Sequence, residues 1–106
     1  MKRQDFSVLP CAFKNKIIKT ISLCKEELAN REKGVAGEST IEELNIVITD
    51  LNELLERVNN HQYPPQKDRY LLSFAYAFKV WGWNMQKPTE IFMLLAQLDR
   101  EYKDLW

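Results

Sequence analysis

The stretch Ser39–Val58, STIEELNIVITDLNELLERV, decides the fold, because its apolar residues repeat at alternating steps of three and four. This spacing places them along one face of an α-helix, and over nearly three heptads it matches the a/d seam of packed helices. Ser39 lies three residues before Glu42, which is the capping-box spacing, so we expect the helix to begin there. The predicted seam consists of Ile41, Leu44, Ile48, Leu51, Leu55 and Val58.

The region upstream of this stretch predicts another helix, from about Ser7 to Glu32. Ser7 is a suitable N-cap, and a proline is tolerated in the first turn of a helix. The loop Lys33–Glu38 contains two glycines, which end the helix and permit the chain to reverse. The apolar stripe of this helix consists of Pro10, Phe13, Ile17, Ile21, Cys24 and Leu28.

Downstream, the stretch Arg69–Asn84, RYLLSFAYAFKVWGWN, is rich in aromatic residues. Its apolar residues occupy both faces of a helix, and a soluble helix that is apolar on all sides normally lies at the centre of a bundle. Asp68 near its start and Gly82 near its end are typical of helix termini. We expect the core to receive most of four aromatic side chains, which are Tyr70, Phe74, Phe78 and Trp81.

The last helical pattern begins near Pro88, which suits the first helical position, and Glu90 favours the positive end of the helix dipole. Four amphipathic helices with short connections predict an all-α fold. We expect a single-domain antiparallel bundle of about four helices that spans residues 1–106. The apolar stripe of the last helix consists of Ile91, Leu94, Leu95, Leu98, Tyr102 and Leu105.

The charge of the chain is balanced overall but unevenly distributed. Fifteen basic and fifteen acidic residues give a net charge of zero, which disfavours direct nucleic-acid binding because nucleic-acid-binding surfaces are normally basic. Residues 34–60 nevertheless carry six acids and one arginine. The longest apolar run, Ile91–Ala96, is too short to span a bilayer, and no secretory signal is visible. We therefore expect a cytoplasmic protein without a membrane partner, whose two cysteines remain reduced.

Patterns for metal, cofactor or catalytic chemistry are weak. His61 is the single histidine, and Cys11 and Cys24 lie thirteen residues apart, so the paired spacing of a zinc site is missing. Cys24 falls on an apolar stripe, where cysteine behaves as a small hydrophobic residue. The three glycines are isolated and form no phosphate-binding loop. We therefore predict a protein that is not an enzyme, with no catalytic residues, metal or cofactor.

The second helix favours binding of a partner protein. With Ile41 at position a of a heptad, five acids fall at the outward positions b, c and f, and Arg57 alone offsets them. A solvated helix face is the simplest explanation, but a surface of one sign also attracts a basic protein surface. Ile46 falls at an outward position among these acids and offers an apolar contact.

Three further aromatic residues flank the aromatic stretch or fall off its best stripe. Tyrosine and tryptophan often anchor protein interfaces, so we expect these three to form a rim outside the core. The predicted partner-binding residues are Glu42, Glu43, Ile46, Asp50, Glu53, Glu56, Tyr63, Tyr76 and Trp83.

The run YPPQKDRYLLSFAYAF, Tyr63–Phe78, followed by VWGWN and PTE, resembles segments of small helical immunity proteins from bacterial toxin–immunity systems, including contact-dependent growth inhibition. The resemblance covers about the last 45 residues. It implies a stoichiometric inhibitor of a cognate protein toxin, often a basic nuclease domain. It implies no catalytic residues.

Other functions remain open alternatives. The heptad seam of the second helix also fits a self-associating helical scaffold or regulatory module. The aromatic residues fit a small-ligand-binding bundle, and a nucleic-acid-binding regulator is disfavoured by the charge. For an inhibitor we expect a monomer or a weak homodimer.

Overall fold

Within residues 10–104 the chain forms four α-helices, as the periodicity predicts, and the connections between them, residues 33–40, 60–71 and 80–89, are longer than expected. The computed structural model describes residues 10–104. These residues contain no strand, and their fold is an all-α bundle. The helices are α1 (Pro10–Glu32), α2 (Ile41–Asn59), α3 (Leu72–Lys79) and α4 (Glu90–Asp104), and a 3₁₀ turn lies at Gln66–Asp68.

Helices α1 and α4 lie antiparallel along the bundle. Near the start of α1, Phe13 stacks on Tyr102 of α4 with ring centroids 6.0 Å apart. Further along α1, Lys19 forms an ion pair with Glu90 at the start of α4, with 3.5 Å between Nζ and Oε2. The predicted stripe of α1 is confirmed as buried from Phe13 to Cys24. The predicted cap Ser7 lies outside the described residues.

The capping box of α2 is one residue later than predicted. Thr40, not Ser39, is the N-cap, and its hydroxyl accepts a hydrogen bond from the backbone N–H of Glu43 at 3.1 Å. The Glu43 carboxylate accepts one in return from the N–H of Thr40 at 3.2 Å. Ser39 is instead buried, and its carbonyl accepts a hydrogen bond from Arg31 Nε at 2.7 Å. The arginine therefore ties the end of α1 to the residue before the cap.

The interior face of α2 is also rotated from the predicted a/d seam. Ile48 and Leu55, both at predicted a positions, are only half-buried, and Ile41 is 37% exposed. The buried face is turned towards the g positions, which adjoin the c position from which Asp50 contacts the backbone of α3. The buried residues are Leu44, Val47, Leu51, Leu54 and Val58, at positions d and g.

The aromatic stretch does not form the central helix that its composition predicts. Helix α3 has eight residues and lies at the edge of the bundle, against α4 and α2. Two of the aromatic residues expected in the core are exposed, Tyr70 by 56% and Phe78 by 43%. A helix this short has room to bury only one face, so its other apolar residues stay in contact with water.

Helix α4 begins at Glu90, two residues after Pro88, so the prediction that Pro88 occupies the first helical position is wrong. The Thr89 hydroxyl accepts a hydrogen bond from the backbone N–H of Phe92 at 3.2 Å, as an N-cap residue does. The predicted stripe from Ile91 to Tyr102 is confirmed as buried, and Leu105 lies outside the described residues. The core therefore lies among α1, α2 and α4, with α3 closing one side.

Candidate partner-binding cleft

A surface cleft of about 570 Å³ lies between α2, the 3₁₀ turn and the start of α3. We call it the α2 cleft. Three predicted partner-binding residues, Asp50, Glu53 and Tyr63, line it. The loop after α2 supplies Asp68 and Tyr70, α3 supplies Leu72, and the end of α4 supplies Tyr102.

A second hollow, of about 310 Å³, continues the α2 cleft along α2. It shares Asp50, Glu53 and Leu72 with the cleft and adds Ile46. Ile46 and Leu72 are 44% and 45% exposed. The two hollows therefore form one groove in which exposed apolar side chains stand beside carboxylates.

The Asp50 carboxylate has a structural role as well as a place in the cleft wall. Helix α3 has no N-cap from its own side chains. Instead, Asp50 Oδ2 accepts a hydrogen bond from the backbone N–H of Ser73 at 2.9 Å, and Asp99 Oδ1 of α4 accepts one from Leu71 at 2.7 Å. Two carboxylates from neighbouring helices thus cap α3 and suit the positive end of its dipole. This contact fixes Leu72 in the cleft wall.

Contrary to the prediction, Glu43 and Trp83 do not lie on an exposed binding surface. Trp83 is 3% exposed, and its ring meets Phe92 edge to face with centroids 5.6 Å apart. Its indole N–H donates to Glu43 Oε1 at 3.0 Å. Glu43 is half-buried, because the c position of α2 faces the segment that follows α3. The pair is a contact within the chain, since a buried indole N–H needs an acceptor.

The remaining predicted residues are exposed but lie outside the α2 cleft. Glu42 and Glu56 are exposed on α2. Tyr76 is 38% exposed and contacts the Trp81 ring, with centroids 5.8 Å apart. The structure therefore gathers Ile46, Asp50, Glu53 and Tyr63 into one groove and leaves these three apart from it.

Two tyrosines that line the α2 cleft, Tyr63 and Tyr102, have buried hydroxyls, a feature that sequence reasoning missed. The hydroxyls of Tyr63 and Tyr102 are buried and have no hydrogen-bond partner among the described residues. Tyr102 is 1% exposed and stacks on Phe13. The guanidinium of Arg69 lies over the Tyr63 ring, 5.7 Å from its centroid. The periodicity of α4 identified Tyr102 only as a core residue and gave no information about the environment of its hydroxyl group.

His61 follows the C-cap of α2 and has a specialised backbone conformation. It has a φ of 53°, and its N–H donates to the carbonyl of Val58 while the N–H of Gln62 donates to that of Arg57. These two bonds are the Schellman arrangement, with His61 in the left-handed position after the C-cap Asn60. Its conformation is therefore that of a helix-terminating residue.

The two cysteines occupy different environments on α1. Cys11 is exposed and Cys24 is fully buried. Burial, together with the nearby Glu27 carboxylate, raises the pKa of the Cys24 thiol to about 12. Cys24 therefore stays protonated at neutral pH and packs as an apolar side chain.

Among residues 10–104, no group of three or more histidine, cysteine, aspartate or glutamate side chains is arranged to hold a metal ion. No helix within this range combines the length and apolar character needed to cross a bilayer. Comparison of the chain with protein-family models found no match. Comparisons with characterised proteins and with solved structures also found none.

Proposed function

We propose that this protein is a cytoplasmic immunity protein, which binds a cognate bacterial toxin and neutralises it by stoichiometric inhibition. The observation that carries the proposal is the groove along α2, in which exposed apolar side chains stand beside acids. Ile46, Tyr70 and Leu72 supply the apolar and aromatic contacts. Asp50, Glu53 and Asp68 supply the negative charge.

The composition of this groove fits a basic protein surface. Tyr70 and Leu72 are 56% and 45% exposed, so a partner that covers them removes apolar surface from water. Large buried side chains at the centre of an interface typically carry most of its affinity. Acids around them accelerate association with a basic partner and orient it. A basic nuclease domain is a partner of this chemistry.

The resemblance to immunity proteins falls on the same part of the structure. Tyr63–Phe78, the run that carries the resemblance, supplies Tyr63, Tyr70 and Leu72 to the cleft wall. The residues on which the resemblance rests are therefore also residues that a partner could contact in this cleft.

Self-association is the second candidate, and a different surface favours it. Phe78, Met85 and Met93 are 43%, 57% and 45% exposed and line an apolar groove of about 190 Å³ between α3 and α4. The α2 seam supports pairing between chains less well than the sequence indicated, because Leu44, Leu51 and Val58 are buried within the chain. Sedimentation equilibrium distinguishes the candidates, since self-association through this groove requires a dimer that Met85→Lys dissociates.

The experiment that tests inhibition begins with affinity capture of the tagged protein from its source cells and identification of stoichiometric partners. A partner with a basic domain is then expressed alone and together with this protein. We expect the partner to arrest growth when it is expressed alone and to be harmless when both are present.

Charge reversal then tests the α2 cleft as the binding surface. Glu53→Lys combined with Asp68→Lys reverses two exposed acids of the cleft. We expect affinity to fall by about tenfold or more, because each change places like charges in the interface. Glu26→Lys with Glu32→Lys on α1 is the matched control, since both acids are exposed and the net charge change is the same. Equal affinity of the two variants would place the interface elsewhere.

A further inference from the structure

We infer that the α2 cleft receives an arginine side chain of the partner, whose guanidinium group hydrogen-bonds to the buried tyrosine hydroxyls and to the carboxylates of the cleft. This inference rests on the proposed function, because it names the chemical group that the same site recognises.

The hydroxyls of two tyrosines that line the cleft are the first observation. The hydroxyls of Tyr63 and Tyr102 are buried and have no hydrogen-bond partner among residues 10–104. The whole Tyr102 side chain is only 1% exposed. Buried polar groups are nearly always hydrogen-bonded, so these two hydroxyls suit a hydrogen-bond donor that a bound group brings into the cleft. A phenol oxygen accepts a hydrogen bond from an N–H donor.

The charge of the cleft wall is the second observation. Three carboxylates, those of Asp50, Glu53 and Asp68, face one basic lining residue, Arg57. Asp50 uses Oδ2 to cap α3, and among the described residues Oδ1 has no hydrogen-bond partner. Glu53 and Asp68 form no ion pair with another residue in the described range. The lining residues therefore carry more acids than bases, and Arg69 lies beside them, over the Tyr63 ring.

A guanidinium group fits this arrangement better than an ammonium group. It carries five N–H donors in a plane, whereas an ammonium is a compact, strongly hydrated point charge. The phenol and carboxylate oxygens provide several acceptors, and the ring of Tyr70, which is 56% exposed, provides aromatic surface on which a guanidinium stacks. The exposed Leu72 beside them suits the aliphatic part of an arginine side chain.

The test uses N-acetyl-arginine amide as the probe, titrated into the full-length ¹⁵N-labelled protein at constant ionic strength. Chemical-shift changes report where the probe binds. We expect saturable changes at the amides of the α2 cleft, with a dissociation constant of the order of 1 mM. The matched probes are N-acetyl-citrulline amide, which has nearly the same shape without charge, and N-acetyl-lysine amide. Both are expected to bind at least about fivefold more weakly.

Variants of the cleft sharpen the test. Tyr63→Phe with Tyr102→Phe removes only the two unpaired hydroxyls, and Glu53→Gln removes one exposed charge. Each is expected to weaken arginine-probe binding by about threefold or more, since a hydrogen bond to a charged group is lost. Arg57→Ala removes the basic lining residue and is expected to strengthen it. If the double tyrosine variant does not fold, Glu53→Gln and Arg57→Ala decide the result.

Three results would overturn the inference: shift changes that do not saturate, equal binding of the arginine and citrulline probes, or unchanged binding in the folded variants. The outcome is separable from that of the proposed function. Probe binding at the cleft together with unchanged partner affinity in the Glu53→Lys, Asp68→Lys variant supports a guanidinium site and contradicts the proposed inhibitory surface. Loss of partner binding in that variant without probe binding supports the surface and rejects arginine as its ligand.

Discussion

The three long helices α1, α2 and α4, which we call the long-helix layer, and residues Gln62–Thr89, which we call the segment, are held in place by different interactions. Helices α1, α2 and α4 share a continuous apolar core, in which residues such as Ile17, Leu51 and Leu95 are fully buried. The segment contributes few buried apolar side chains to that core and leaves many of its large ones exposed. The exposed ones are Tyr70, Leu72, Tyr76, Phe78, Val80 and Met85.

Carboxylates of the long-helix layer and of the loop before α2 fix the segment through hydrogen bonds. Asp50 and Asp99 cap the start of α3, Glu43 accepts the Trp83 indole N–H, and Glu38 accepts the backbone N–H of Asn84 at 2.6 Å. The long helices supply three of these four acceptors, while their own core is built from apolar contacts. The segment therefore depends on the layer for its position. We therefore expect it to open at a lower free energy than the layer.

The largest effect is expected in the core of the long-helix layer. Two adjacent leucines of α2 test its orientation, because Leu54 lies on the observed interior face and Leu55 on the predicted one. Leu54 is 1% exposed, whereas Leu55, on the predicted seam, is half-buried. Leu54→Ala should lower the free energy of unfolding by about 2–5 kcal/mol, because it leaves a cavity in the core. Leu55→Ala should cost about half as much or less. Urea denaturation followed by circular dichroism measures both.

These two substitutions remove the same atoms from neighbouring positions of one helix, so helix propensity cancels between them. If Leu55→Ala lowered the free energy of unfolding more than Leu54→Ala, the interior face of α2 would be the predicted a/d seam and not the rotated face.

An intermediate effect is expected where the layer holds the segment. Asp50→Ala removes one of the two caps of α3 and should lower the free energy of unfolding by about 1–2 kcal/mol, the usual cost of a lost N-cap or charged hydrogen bond. Hydrogen exchange should accelerate first at residues 71–80, because the cap acts there. The buried amides of α1 and α4 should lose protection less.

Glu53→Ala is the matched control, since Glu53 is an exposed acid one turn further along α2 that accepts no hydrogen bond from another described residue. We expect it to change stability by less than about 0.5 kcal/mol. Equal losses in the two variants, or uniform acceleration of exchange across all four helices, would show that the segment and the layer unfold as one unit.

The long-helix layer was predictable from the sequence because its information is local. Periodic apolar residues identify α1, α2 and α4, and the structure confirms their buried stripes apart from the rotation of α2. The one-residue shift of the α2 cap has a simple origin: STIEE contains two overlapping capping boxes, Ser39 with Glu42 and Thr40 with Glu43. Arg31 decides between them by binding the Ser39 carbonyl, and no local pattern reveals that contact.

The segment and half of the candidate site were not predictable, because their information lies in contacts between distant residues. Trp83 packs against Phe92 of α4 and donates a hydrogen bond to Glu43, which lies forty residues earlier on α2. Tyr102 becomes part of the cleft lining only where α4 meets the loop that carries Tyr63. Charge and heptad position found Ile46 and Glu53 because both lie on the side of α2 that no other helix covers.

The smallest effect is expected from Cys24, which reports on the long-helix layer alone. Its thiol pKa is raised from 9.0 to about 12, so between these values the unfolded chain loses a proton that the folded chain keeps. The thiol contribution to stability is therefore complete below pH 9 and is lost as the pH rises towards 12. In reducing buffer, the free energy of unfolding of the wild type minus that of Cys24→Ala should fall by about 1 kcal/mol from pH 8 to pH 10. Asp50→Ala in both backgrounds should leave this decrease unchanged, because it loosens α3 and leaves Cys24 buried. If the difference is constant with pH, water reaches Cys24 in the folded protein. The core of the layer would then be no better protected from water than the segment.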